Sequence, residues 1–170
     1  MNSELKNKPF LVKQKFELEE DIEKHDELNS ALFNEDSTLK SEVKEKITEI
    51  VDEFLKDFIE VEIELKVEDI ILTGSNASYN YTKDSDLDIH IVSNTSKLNC
   101  KDNLYPVVYD AYKSLFNNKY DIDFYGIPVE IYVETSDTAL EEDRKKSALK
   151  SNGIYSVLKT EWIKEPILED

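Results

Sequence analysis

Ile70-Ile71-Leu72-Thr73-Gly74-Ser75, followed after ten intervening residues by Asp86-Leu87-Asp88-Ile89-His90-Ile91, decides how the rest of this 170-residue chain is read. Three consecutive aliphatic residues running into Thr73 are the pattern of a strand buried on both faces. Gly74 then marks a sharp turn where backbone passes close to another group, and Ser75 suits the cap of a short helix over Asn76-Ala77-Ser78-Tyr79. In the second segment Leu87, Ile89 and Ile91 alternate with Asp86, Asp88 and His90, so one face of this strand is apolar and the other carries ionisable groups.

Outward from this centre, the chain alternates helical and extended patterns. Ser41 reads as a helix N-cap with Glu42 and Glu45 in the first turn, where carboxylates favour the positive end of the helix. Val43, Ile47, Ile50, Val51, Phe54, Leu55 and Phe58 recur at three- and four-residue steps and predict one core-facing stripe. Val61 to Leu65 alternates as a strand would. After a polar connection from Asn94 to Asn103, Leu104, Val107, Val108, Ala111, Tyr112, Leu115 and Phe116 again follow helical spacing. Tyr120 to Phe124 and Val129 to Val133 predict a β-hairpin whose reversal lies in Tyr125-Gly126-Ile127-Pro128. Ser136 to Ser151 predicts a short helix, and Gly153 to Trp162 a last apolar segment. The fold class is therefore α/β, a small mixed sheet of about four or five strands flanked by helices on one side, with the long helix from Ser41 beneath the strands. Residues 1–36 are rich in Lys, Glu and Asp without a sustained period and read as a charged extension, with Phe10-Leu11-Val12 and Leu32-Phe33 as apolar anchors. Residues 37–170 form the one folded domain that this length accommodates.

Composition narrows the partners. A formal charge of −17 opposes phosphate backbones, so a nucleic-acid strand is an unfavourable partner and a small molecule or protein a favourable one. A single cysteine, Cys100, rules out an intramolecular disulfide and suits a reducing cytoplasm. No stretch has the length of a membrane span or the core of a signal peptide.

The chemistry follows from the carboxylates. Two aspartates two apart on a strand point to the same side with Cβ atoms about 6.5–7 Å apart. Such a pair suits a hard divalent cation, magnesium or manganese, which takes oxygen ligands and shares them with phosphate. At the Gly74-Ser75 turn, the missing Cβ, the serine hydroxyl and free amides suit an anion such as a triphosphate. As plain structure, the same residues would be a turn glycine and exposed strand carboxylates. Two like charges facing the same way are costly unless something neutralises them.

Together, Thr73-Gly74-Ser75 and Asp86-Leu87-Asp88-Ile89 resemble the signature of the DNA polymerase β-like nucleotidyltransferase superfamily. Asn76 to Tyr81 and Gly153-Ile154-Tyr155-Ser156 with Trp162 look like the small nucleotidyltransferase-like proteins of tailed phages, which would place the chain in a host cytoplasm. The resemblance spans roughly residues 37–166. It implies that Asp86 and Asp88 bind metal, that Gly74 and Ser75, with Ser85 beside them, hold a nucleoside triphosphate, and that a third carboxylate stands on a later strand. Glu130 in Val129-Glu130-Ile131 is the best match for it, with Asp121 and Asp123 as competitors. The chain departs from other branches in having no arginine after the Gly-Ser pair, where Lys83 is the nearest cation. The implied reaction moves a nucleoside monophosphate from the triphosphate to a protein or small-molecule hydroxyl and releases pyrophosphate. The alternative is a catalytically silent module on the same fold. His90 reads as a hydrogen-bonded neighbour of the site, His25 as a surface residue, and Trp162 and the tyrosines as packing groups.

Overall fold

A computed structural model describes residues 23–59, 65–94, 105–136 and 151–168. Phe10-Leu11-Val12, Val61 to Glu64, Cys100, Arg144 and the short helix expected between Ser136 and Ser151 lie outside them, apart from the two end residues of that helix. The elements run α1 (Ser41–Ile59), β1 (Lys66–Thr73), a single 3-10 turn (Ser75–Ala77), β2 (Leu87–Asn94), α2 (Tyr105–Lys119), β3 (Asp123–Phe124), β4 (Ile127–Thr135), β5 (Ile154–Ser156) and β6 (Glu161–Lys164). The strands form one sheet in the order β3-β4-β2-β1-β5-β6. Only β2 and β4 pair in parallel, with α2 between them in the chain, as a parallel pair requires of its connection. The α/β class and mixed sheet are as the sequence implies. The strand count is six, because the last apolar segment folds into two short strands, β5 and β6.

One face of the sheet carries the main core. Val43, Ile47, Ile50, Val51 and Phe54 of α1 are buried against Ile70, Leu72, Leu87, Ile89, Ile91 and Ile131 from three strands. The helix begins one residue earlier than a Ser41 cap would have it. The carbonyl of Lys40 accepts the first helical bond, from the amide of Lys44, and the Ser41 hydroxyl leans on Glu42 instead. Leu28, Leu32, Phe33 and Leu39 also enter this core, so the segment ahead of α1 is packed rather than merely pinned. Trp162 stacks on Phe33 and donates its indole N–H to the carbonyl of Ser37, which ties the last hairpin to that segment.

Helix α2 faces the core with only part of the apolar stripe that its spacing offers. Phe116 is buried, edge-on to Phe54, and Tyr112 packs partly against the core, whereas Val107 and Leu115 are each 64% exposed. In this orientation Asn117 faces the sheet. Its side-chain amide accepts from the N–H of Ile131 and donates to the carbonyl of the same residue, pairing β4 where the short β3 no longer does. The β3–β4 reversal consists of Tyr125 and Gly126 alone, both with positive φ (52° and 79°), the backbone of a tight hairpin turn whose twist matches the strands. Pro128 therefore lies within β4, opposite Asp123 and one residue before the pairing with β2 begins at Val129, where its missing N–H is tolerated. Among the described residues no helix is long and apolar enough to cross a membrane.

Candidate active site

Burial of Leu87, Ile89 and Ile91 on the core side sends Asp88 and His90 to the opposite face of β2. Asp88 stands between Thr73 of β1 and Glu130 of β4, and His90 between Ile71 and Tyr132. Parallel pairing of β2 with β4 thus sets Glu130 beside Asp88, and Asp86 approaches from just ahead of the strand. Ligand atoms of Asp86, Asp88 and Glu130 all lie within 4.8 Å of one another, and each side chain is half-buried. Asp121 and Asp123 are exposed and do not join them. Asp123 instead accepts the amide of Gly126 and stabilises the hairpin turn.

Both burial and a neighbouring acid act on Asp86. Burial pushes the Asp86 carboxyl above the usual carboxylate range, its own backbone N–H opposes the shift, and the charge of Glu130 adds to it. A divalent cation of oxygen-seeking character suits this set: three carboxylates offer hard donors only, and their mutual repulsion is relieved when positive charge sits between them.

The turn ahead of the triad is shaped by Asp88 itself. Gly74 has φ +76°, and a Cβ built there would stand 2.0 Å from Oδ2 of Asp88, so any side chain would displace the carboxylate. The expected helix over 76–79 is one 3-10 turn beginning at Ser75, which packs into the loop rather than capping it. Its hydroxyl donates to Oγ of Ser85 at 2.7 Å, and Ser85 Oγ also accepts the amide of Thr82 at 2.9 Å. Gly74, Ser75 and Ser85 are therefore neighbours, joined across the loop, while Lys83 lies exposed on its outer turn. Asn76, to which the sequence assigned no role of its own, is 1% exposed and holds the loop closed. Its amide donates to the carbonyls of Ser85 (3.2 Å) and Asp86 (2.6 Å), and its oxygen accepts from Asn29. A run of small polar residues ahead of the aspartates was the only local signal.

Two further groups emerge from tertiary contacts. Tyr132 donates its hydroxyl to Oε2 of Glu130, and its pKa is raised by burial first, then by that bond and the neighbouring acids, which keeps the hydroxyl protonated. His90 shares a 2.7 Å hydrogen bond with Glu134, as a neighbour of the site would. His25 is more than a surface residue: its ring stacks on Tyr81 at 3.9 Å and its Nε2 meets the carbonyl of Tyr81, so the segment before α1 grips the loop that carries Ser75 and Ser85.

No curated protein and no solved structure matches this chain. The family model described as a nucleotidyltransferase domain does match, over residues 37–156, a span that runs from the approach to α1 through the loop, the triad and β5. The convergence of Asp86, Asp88 and Glu130 beside the Gly74 turn falls inside that span, and the chain belongs to the nucleotidyltransferase domain family.

Proposed function

We propose that this chain transfers a nucleoside monophosphate from a nucleoside triphosphate to the hydroxyl of a protein side chain or small molecule, with release of pyrophosphate. The observation that carries the reading is the meeting of three carboxylates beside a turn that only glycine can form. Asp86, Asp88 and Glu130 would hold magnesium or manganese. When bound, two such ions neutralise phosphate charge and lower the pKa of the acceptor hydroxyl. The carboxylate of Glu130 would receive the acceptor's proton. Ser75 and Ser85, already paired through their hydroxyls, turn those groups toward the triphosphate, and Asn76 keeps Asp86 at the loop's closing end.

The choice of acceptor rests on charge. Lys and Arg number 21 against 38 acids, so a long polyanion meets a repulsive surface, whereas one triphosphate is neutralised by its own metals. A cytoplasm, where triphosphates and magnesium abound, is the setting this chemistry suits. The test offers labelled triphosphates with manganese or magnesium to oligonucleotides, deproteinised extract and protein-containing extract in parallel. Label in protein or metabolite supports the reading, and efficient oligonucleotide extension alone overturns the acceptor. A chain whose melting temperature ignores magnesium and nucleotide together would be a silent relative instead.

A further inference from the structure

Glu130 is the least constrained member of the triad by sequence. Its side chain has one more rotatable bond than aspartate, so bringing its carboxylate to the aspartates costs more conformational freedom. On this structure the freedom is removed by a chain of contacts that the transfer reaction does not itself require. Tyr132, two residues along β4 and on the same face, donates its hydroxyl to Oε2 of Glu130. The Tyr132 ring is held in turn. It stacks on His90 with centroids 4.6 Å apart and planes 18° from parallel. His90 is anchored by its 2.7 Å bond to Glu134, both side chains being only 7% exposed. From α2, the Lys113 ammonium stands 3.5 Å from the centre of the Tyr132 ring, a cation–π contact, and among the described residues it makes no ion pair.

We infer that Tyr132 is a positioning residue that holds Glu130 in the orientation in which it meets Asp86 and Asp88, with His90 and Lys113 gripping its ring. The inference rests on the reading that the triad takes a divalent metal. Groups that orient a metal's ligands commonly change its affinity about 10- to 100-fold when removed. Tyr132 occupies that place here. Tyr155, by contrast, packs among apolar side chains of the main core and its hydroxyl accepts a backbone amide, that of Leu39. The neighbours of Tyr132 are an acid, an imidazole and an ammonium.

The experiment measures manganese binding to the full chain by calorimetry or by the spin-resonance signal of free manganese, at fixed pH and without nucleotide. Tyr132→Phe keeps the ring, and so both of its grips, and deletes only the hydroxyl. It is expected to weaken manganese binding about tenfold while the melting temperature in chelator stays where it was. In a Glu130→Gln background the same substitution is expected to have no further effect, because the two side chains act as one unit. Lys113→Met, which leaves the hydroxyl in place and loosens the ring, is expected to weaken binding less than Tyr132→Phe does. Manganese affinity unchanged or tighter in Tyr132→Phe, with binding lost in Glu130→Gln, overturns the inference and leaves the proposed function standing. Should Tyr132→Phe fail to fold, Lys113→Met decides, and unchanged affinity there overturns it. If Glu130→Gln and Asp88→Asn both bind manganese as the parent does, the metal reading itself fails and takes this one with it.

Discussion

Two acidic sites share one face of the sheet and are built in opposite ways. At the β1–β5 junction, Asp69 is 7% exposed and supplied with donors: the amide of Ile70 and the hydroxyl of Ser156, each at 2.8 Å, with the Lys159 ammonium 3.9 Å away. At the β1–β2–β4 end, Asp86 is set beside two other acids, and its carboxyl is pushed up rather than relieved. A carboxylate that serves the fold brings its own partners. Carboxylates held among carboxylates repel one another, and a cation relieves that repulsion, which is why the second cluster reads as a site and the first as structure.

This contrast breaks most visibly at Asp88. Asp88→Asn is expected to lower transfer about 10³-fold, the upper range for losing one charge-stabilising group from a site, with the far-ultraviolet spectrum and chelator melting temperature unchanged. Turnover of labelled triphosphate beside a thermal melt checks both halves. The reverse holds at the structural acid. Asp69→Ala strands two donors, the Ile70 amide and the Ser156 hydroxyl, and is expected to cost about 3 kcal/mol of stability, read from denaturant midpoints, with manganese affinity unchanged. An equal loss in Asp88→Asn would erase the distinction.

Added ligands sharpen the comparison with a smaller effect. Magnesium and nucleotide at about 100 times their dissociation constant are expected to stabilise the folded chain by about 2.7 kcal/mol, and Asp69 variants should keep that increment while Asp86→Asn loses most of it. Paired melts with and without chelator report it. The smallest effect concerns pH. Because the folded pKa of Asp86 lies above its unfolded value, the folded chain binds a proton more readily than the unfolded one between the two. The metal-free protein therefore loses stability at this group as pH rises from the unfolded pKa through the raised folded value, and regains it as pH falls. Asp86→Asn should flatten that part of the profile, and a steeper acid dependence in the variant would reverse the sign argued here.

Much of this was legible in the residues themselves. Period-two alternation over Asp86 to Ile91 specified which side chains share a face, and period-3.6 spacing specified α1, because both depend only on backbone geometry. The Gly-Ser turn and its separation from the aspartates were equally local. Helix α2 shows where this reasoning weakens: its apolar spacing admits more than one inward face, and the face that turns in is the one that sets Phe116 against Phe54 and Asn117 against the edge of β4. The same spacing was therefore consistent with Val107 and Leu115 inside, where the structure leaves them outside.

The set of elements, the strand face bearing Asp86, Asp88 and His90, and the turn at Gly74 all follow from the steric and hydrophobic preferences of contiguous residues. Tertiary structure alone decided which later acid meets them. Glu130, Asp121 and Asp123 all occupied the predicted hairpin, and only the parallel register of β2 with β4 sets Glu130 opposite Asp88. It also decided that the turn glycine makes room for Asp88, that Tyr132 reaches Glu130 under His90 and Lys113, and that His25 stacks on Tyr81. The physical reason is common to all of these. A residue's own neighbours set its conformation, but its partners across the sheet are chosen by strand order and register, which the packing of the whole core selects at once.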